Sequence, residues 1–222
     1  MLRLAPGETV AIFDGRGNEY LARIVAAARR DVQVQVLSRV EPAAELPVAL
    51  TLAQAVLKGD KMDDVVRDAV MLGVCAVQPI VSVRAEVTVA ALLKGARLER
   101  WQRVALASVK QCGRAVLPEI RTPLTLEHYL DDPQPAVSLM FVEPGAAAST
   151  EPLSRLQRMP VPADAALLVG PEGGWTEGEW QAAQRKGVSL TSLGRRTLRA
   201  DAVALSAVSI LQFLWDEQTF RA

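Results

Sequence analysis

Ala166-Leu167-Leu168-Val169-Gly170-Pro171-Glu172-Gly173-Gly174-Trp175-Thr176-Glu177-Gly178-Glu179 reads as a strand, a glycine-rich loop and the start of a helix. The opening apolar run is short and unbroken, as in a strand buried on both faces. Three glycines between Gly170 and Gly174 let the backbone turn sharply and come close to a ligand that side chains would hold off. Thr176 followed by Glu179 fits a capping box, which predicts a helix stopping near Lys186, with Gly187 as its C-terminal glycine. A second unit of the same kind follows. Val188 to Leu193 reads as a strand, Gly194 breaks it, and Arg195-Arg196-Thr197-Leu198-Arg199 makes a basic connection. Asp201 then opens a long apolar helix through Leu205, Val208, Leu211 and Leu214. Both loops leave the carboxyl end of a strand, the edge at which open α/β sheets bind ligands.

Working upstream, the same alternation recurs. Val48 to Leu57 and Val74 to Val81 read as apolar strands. Between them Asp60 is placed to cap a helix running to Leu72, with Met62, Val65, Val66 and Ala69 on its apolar face and Gly73 as terminator. Arg97 to Cys112 is amphipathic along Trp101, Val104, Ala105 and Val109; Gly113 ends it and is expected to leave Arg114 exposed. Val137 to Val142 is a further strand, and Pro152 fits the first turn of a short helix. Strand and helix in repeated alternation predict a parallel sheet with helices on both faces. The first forty residues differ. Thr9 to Phe13, Glu19 to Ala26 and Asp31 to Val40 are strand-like around the turn Asp14-Gly15-Arg16-Gly17-Asn18, so a small β-barrel is expected. Pro42 and Pro47 mark a linker. The division is therefore residues 1–45, a β domain, and 46–222, an α/β domain.

Lys+Arg and Asp+Glu both number 25, so no net field draws in nucleic acid, and any such contact must use local basic clusters. The two cysteines, Cys75 and Cys112, have no metal-type spacing and read as reduced thiols; no metal site is expected. No apolar run reaches the roughly 18 residues of a spanning helix, and no signal peptide heads the chain. A cytoplasmic protein without a membrane partner is the expectation. No G-x-G-x-x-G follows an early strand, which argues against a Rossmann dinucleotide site.

The loop Gly170-Pro171-Glu172-Gly173-Gly174 and the segment Leu193-Gly194-Arg195-Arg196-Thr197-Leu198-Arg199 resemble the two clearest signatures of one branch of the SPOUT superfamily of RNA methyltransferases. That branch is the family that methylates N3 of a uridine in small-subunit ribosomal RNA (RsmE-like). The resemblance continues through Lys58-Gly59-Asp60-Lys61-Met62-Asp63 and Gln111-Cys112-Gly113-Arg114, and weakly to Phe13-Asp14-Gly15, so it covers nearly the whole chain in order. It implies a SPOUT-type parallel sheet knotted as a trefoil from about Gly170 onward. It also implies an N-terminal PUA-like β-barrel that helps hold RNA; the alternative is a β module that only supports the other domain. Family members carry a further strand before this one's first residue, so the barrel is expected to lack an element or to start late.

The resemblance implies S-adenosylmethionine as cofactor, bound in a bent pose by Val142, Glu143, Leu168, Val169, Gly170, Pro171, Glu172, Gly173, Gly174, Ser192, Leu193, Gly194 and Leu198, with Leu168, Leu193 and Leu198 around the adenine. In such a transfer the protein mainly positions the reactants and excludes water. Arg199 is the expected catalytic residue, stabilising the anion that develops on the uracil as N3 loses its proton; an ion pair with Asp201 or a helix cap is its alternative. Lys58, Lys61, Arg114, Arg195 and Arg196 are expected to meet RNA. His128, the sole histidine, is not assigned as a base. Partners implied are ribosomal RNA or the small ribosomal subunit, and a second copy of the chain through the final helix, with Leu205, Val208, Leu211 and Trp215. The chain departs from the family at Val70-Met71, Val83, Lys110 and Ala200-Asp201, where carboxylates are missing or shortened. These losses leave open a different RNA substrate, or a catalytically silent RNA- or cofactor-binding paralogue.

Overall fold

The computed structural model describes residues 5–28, 31–147 and 150–221, the last five as backbone only. The chain divides into two units, Met1–Glu45 with Val109–Leu117, and Leu46–Ser108 with Pro118–Ala222. That the end of the long amphipathic helix and the residues just after it belong to the first unit is not legible in the local sequence.

Three antiparallel strands, β1 (Thr9–Phe13), β2 (Glu19–Ala27) and β3 (Val32–Val40), form the first unit's sheet in that order. Where a barrel was expected, the described residues form this open sheet. Its first turn is pinned by Asp14, whose Oδ1 accepts the N–H groups of Arg16 at 2.7 Å and Asn18 at 3.1 Å while Asn18 Nδ2 donates to Oδ2 at 2.7 Å. The bond from the Asn18 side chain, with those from the backbone, holds the Asp14 carboxyl below its ordinary pKa. Val116 bridges to Gly15 and Arg16. The alternation of Val32, Val34 and Val36 does make a strand, because β-branched side chains suit pleated backbone. All three stay exposed, however, since β3 pairs only with β2 among the described residues.

The second unit is an all-parallel sheet of β4 (Ala49–Ala55), β5 (Ala76–Val81), β6 (Glu119–Ile120), β7 (Leu124–Thr125), β8 (Val137–Phe141), β9 (Asp164–Val169) and β10 (Ser189–Thr191). The order is β10-β8-β9-β4-β5-β6, with β7 also on β5. Leu50, Leu52, Leu139, Met140, Leu167 and Leu168 are all at most 1% exposed. Burying each such side chain contributes about 1.5–3 kcal/mol.

The helices are α1 (Lys61–Met71), α2 (Val89–Lys94), α3 (Arg97–Cys112), α4 (Leu126–Asp131), α5 (Glu177–Arg185) and α6 (Ala200–Arg221), and Leu153–Arg158 is a 3₁₀ turn after Pro152. Helix α1 buries the expected Met62, Val65, Val66 and Ala69, together with Val70. Asp60 precedes it but does not cap it with its side chain. Its φ and ψ of −90° and 0° are helical rather than the extended values a cap needs, and its carboxylate pairs with Arg100 at 2.9 Å instead. Helix α5 carries the capping box in full: Thr176 Oγ1 accepts from the Glu179 N–H, and Glu179 Oε2 accepts from the Thr176 N–H at 2.8 Å. Helix α6 packs on α1 and β9. Val208, Leu211 and Trp215, expected to face a second copy, are instead buried in the unit's own core, and Leu205 is half-buried; among the described residues the large apolar side chains this helix exposes are Ile210 and Phe213.

Candidate active site

Strands β10, β8, β9 and β4 are consecutive in the sheet, so the loops at their carboxyl ends meet at one edge. A cleft of about 310 Å³ opens there. Its walls are Val142 and Glu143 after β8, Gly170, Pro171, Glu172 and Gly174 after β9, Leu193 and the Arg196–Arg199 stretch after β10, and Lys61 at the start of α1.

The glycine-rich loop has local reasons for its composition. Gly174 has φ +67°, a left-handed value that side chains avoid, and a Cβ there would stand 3.0 Å from Glu143 Oε1. A Cβ on Gly170 would meet the indole of Trp175 at 3.2 Å. The Gly174 N–H closes the turn onto the Pro171 carbonyl at 2.9 Å. Four neighbours hold the loop. Buried Gln54 donates from Nε2 to the Gly170 carbonyl at 3.3 Å, Arg84 donates from Nη1 to the Gly173 carbonyl, and Glu172 accepts from Lys61 Nζ at 2.8 Å and from the Lys58 N–H at 3.2 Å. Burial raises the Glu172 pKa, but the bonds from Lys61 and from backbone N–H groups outweigh it, so the carboxyl stays below its ordinary value. The Lys58 ammonium pairs with Glu86 at 2.5 Å, which holds its pKa above the ordinary one.

Of the sequence-expected cofactor residues, the fold brings Val142, Glu143, Val169, Gly170, Pro171, Glu172, Gly174, Leu193 and Leu198 to the cleft. Leu168 is not among them. It alternates with Val169 along β9, so its side chain points into the hydrophobic core, where it is fully buried. Gly173, Ser192 and Gly194 lie on the lining loops without lining the cleft. Arg199 does line it, and it forms the ion pair that was its alternative, Nε and Nη2 standing 3.1 and 3.0 Å from Asp201. Of the basic residues expected on RNA, Lys61 and Arg196 line the cleft, and Arg195 is exposed beside it.

Arg114 is a correction. It is buried in the first unit, 7% exposed, with its fork on the Glu45 carboxylate, Nε to Oε1 at 3.1 Å. A planar guanidinium beside a carboxylate pairs bidentately and so turns inward. His128 lies on α4, away from the cleft, its N–H capped by Thr125. Sequence reasoning missed Phe141, Pro144, Ala146, Trp175, Trp180, Thr197, Ala200 and Val203. Trp175 directly follows the first quoted motif and Thr197 stands inside the second, so both could have been found there.

The RNA methyltransferase domain family matches residues 44–212, and the RNA methyltransferase PUA domain matches residues 2–37. Among curated proteins, ribosomal RNA small subunit methyltransferase E of a Synechocystis species is 33% identical over 216 residues, 95% of this chain and 69% of that protein. The Aquifex aeolicus protein of the same name is 29% identical over 88% of this chain and 81% of its own length. Among solved structures, ribosomal RNA small subunit methyltransferase E from Neisseria gonorrhoeae, bound to S-adenosyl methionine, is 32% identical with a TM-score of 0.85, covering 96% of this chain and 86% of that one. The parallel sheet, its carboxyl-edge cleft and the small antiparallel sheet are those of an RNA methyltransferase domain joined to a PUA domain. Within that class, the chain belongs to the ribosomal RNA small subunit methyltransferase E family.

Proposed function

We propose that this chain is an S-adenosylmethionine-dependent methyltransferase acting on N3 of a uridine in 16S ribosomal RNA, and that the cleft after β8, β9 and β10 is its active site. The observation that carries the reading is the meeting of the two glycine-containing loops, after β9 and β10, on one small cleft. The residues there suit the cofactor. Val142, Leu193 and Leu198 offer apolar walls, the peptide groups of the glycine loop come close because Gly170 and Gly174 lack side chains, and Glu143 offers a carboxylate to a cation. The volume lies at the lower end of the ~300–1,000 Å³ typical of small-molecule sites. When bound, the cofactor supplies an activated methyl group.

The chain's own residues do the rest. Val142, Leu193 and Leu198 exclude water from the adenine, and the peptide groups of residues 170–174 and 193–198 fix its orientation. Arg199 turns from Asp201 toward a uracil carbonyl oxygen and stabilises the negative charge that appears as N3 gives up its proton. Lys58, Lys61, Arg195 and Arg196 hold RNA phosphates, the two lysines at a cost in their ion pairs with Glu86 and Glu172. Residues 1–45 form the PUA-like domain and 46–222 the catalytic one, knotted from about Gly170. Two copies associate through Ile210 and Phe213, and the protein works in the cytoplasm. One observation favours a second reading, cofactor binding without catalysis: Arg199 is held by Asp201. Calorimetry with S-adenosylmethionine, run beside methyl transfer to small ribosomal subunits, separates the two. On the first reading Arg199→Ala abolishes most turnover and leaves cofactor affinity nearly unchanged; unchanged turnover removes Arg199 from the chemistry.

A further inference from the structure

We infer that Glu172 is a positioning residue, acting through Lys61 and Lys58 rather than on the reactants; this rests on the cleft after β9 being the cofactor site. Strands β9, β4 and β5 are neighbours in the sheet, and their carboxyl-end loops are tied in series. Glu172 on the β9 loop accepts from the Lys61 ammonium at 2.8 Å and from the Lys58 N–H at 3.2 Å, Lys58 on the β4 loop and Lys61 at the start of α1 that follows it. The Lys58 ammonium continues the tie to Glu86 on the β5 loop, which also sends Arg84 to the Gly173 carbonyl. Glu172 is the only carboxylate of the glycine loop, and it stands at the loop's centre. Gln54 holds the loop's first carbonyl, at Gly170, and the turn from Gly174 to Pro171 closes its end. Without the carboxylate the ends of the loop stay placed and only its middle is released.

The consequence is a loop whose shape is set before the cofactor arrives. A loop ordered in advance does not have to be ordered by the ligand, so its anchors count in affinity even where they touch no ligand. Glu172 and Lys61 are 25% and 37% exposed, and a pair this near water adds little to global stability. The charge is used locally, at the middle of a loop with three glycines.

The test is S-adenosylmethionine calorimetry and thermal denaturation of the full chain and of Glu172→Gln, Lys61→Met, the double variant and Lys61→Arg. The expected result is an affinity loss of about tenfold in each of the first two, no further loss in the double variant, recovery in Lys61→Arg, and near-native melting throughout. If Glu172→Gln melts early, Lys61→Met carries the same comparison. Full affinity in Lys61→Met beside a loss in Glu172→Gln overturns the inference, because the carboxylate then acts on the ligand itself. Early melting with unchanged affinity in both also overturns it, leaving only a structural contact. A wild-type chain that binds no cofactor overturns the reading of the cleft and this inference together.

Discussion

Gly174→Ala tests whether the glycine loop is built for close approach. At φ +67° an alanine costs about 1 kcal/mol relative to glycine. Its Cβ would stand 3.0 Å from Glu143 Oε1 and 3.5 Å from Glu143 Cδ. Glu143 is exposed, so its carboxylate can swing aside, and the backbone term dominates. Two outlets exist for that strain. If the loop keeps its shape, the whole ~1 kcal/mol appears as lost stability, roughly 2–4 °C in melting temperature for a chain of this size. If the loop relaxes, the cofactor must restore its shape on binding, and about 1 kcal/mol becomes a five- to sixfold weaker Kd. Gly187→Ala is the control. Gly187 has φ +84° at the end of α5, with open space around a Cβ, and it lies outside the cleft. It is expected to lose similar stability and no affinity. Calorimetry with S-adenosylmethionine and urea denaturation on both variants give the two numbers. Native stability and native affinity together in Gly174→Ala would refute the reasoning.

Arg114→Leu removes a charge-assisted fork from Glu45, whose carboxylate is about a third exposed and regains water; urea denaturation should show a loss of about 1–2 kcal/mol, while a surface arginine would give almost none. Tyr129 is buried, and burial pushes its pKa up to about 12, with Asp132 adding to and Arg121 opposing the shift. A raised folded pKa means the neutral phenol's stability is complete below the usual 10.0 and is lost as pH rises toward 12; stability measured across that window should fall by about 2 kcal/mol more in the wild type than in Tyr129→Phe. Phe213→Glu places a charge on the exposed apolar stripe of α6, and sedimentation should show a dimer become a monomer; a wild-type monomer at micromolar concentration would contradict the pairing.

What the sequence disclosed depended on how local the cause was. The capping box of Thr176 and Glu179 spans four residues, and the apolar face of α1 repeats within eleven, so both were readable and both form. The two glycine loops were legible because their composition answers to backbone conformation alone. The strand order was not, since placing β4 between β9 and β5 depends on contacts over more than a hundred residues. The same distance hid the partners of Lys61 and Arg114, which lie 111 and 69 positions away. Leu168 was assigned to the cleft because a leucine beside a ligand loop looks like a leucine in the core; the pleat of β9 decides which, and it decides for the core. In the first unit the alternation of β3 foretold strand but not burial, because burial needs a facing layer that no single strand encodes.

The most direct test of the account is nucleoside mass spectrometry of 16S ribosomal RNA. Small ribosomal subunits lacking this modification are incubated with the purified protein and S-adenosylmethionine, then digested. The account predicts 3-methyluridine, absent when Arg199→Ala replaces the wild type. Cofactor bound by calorimetry with no methylated uridine in the digest would contradict it.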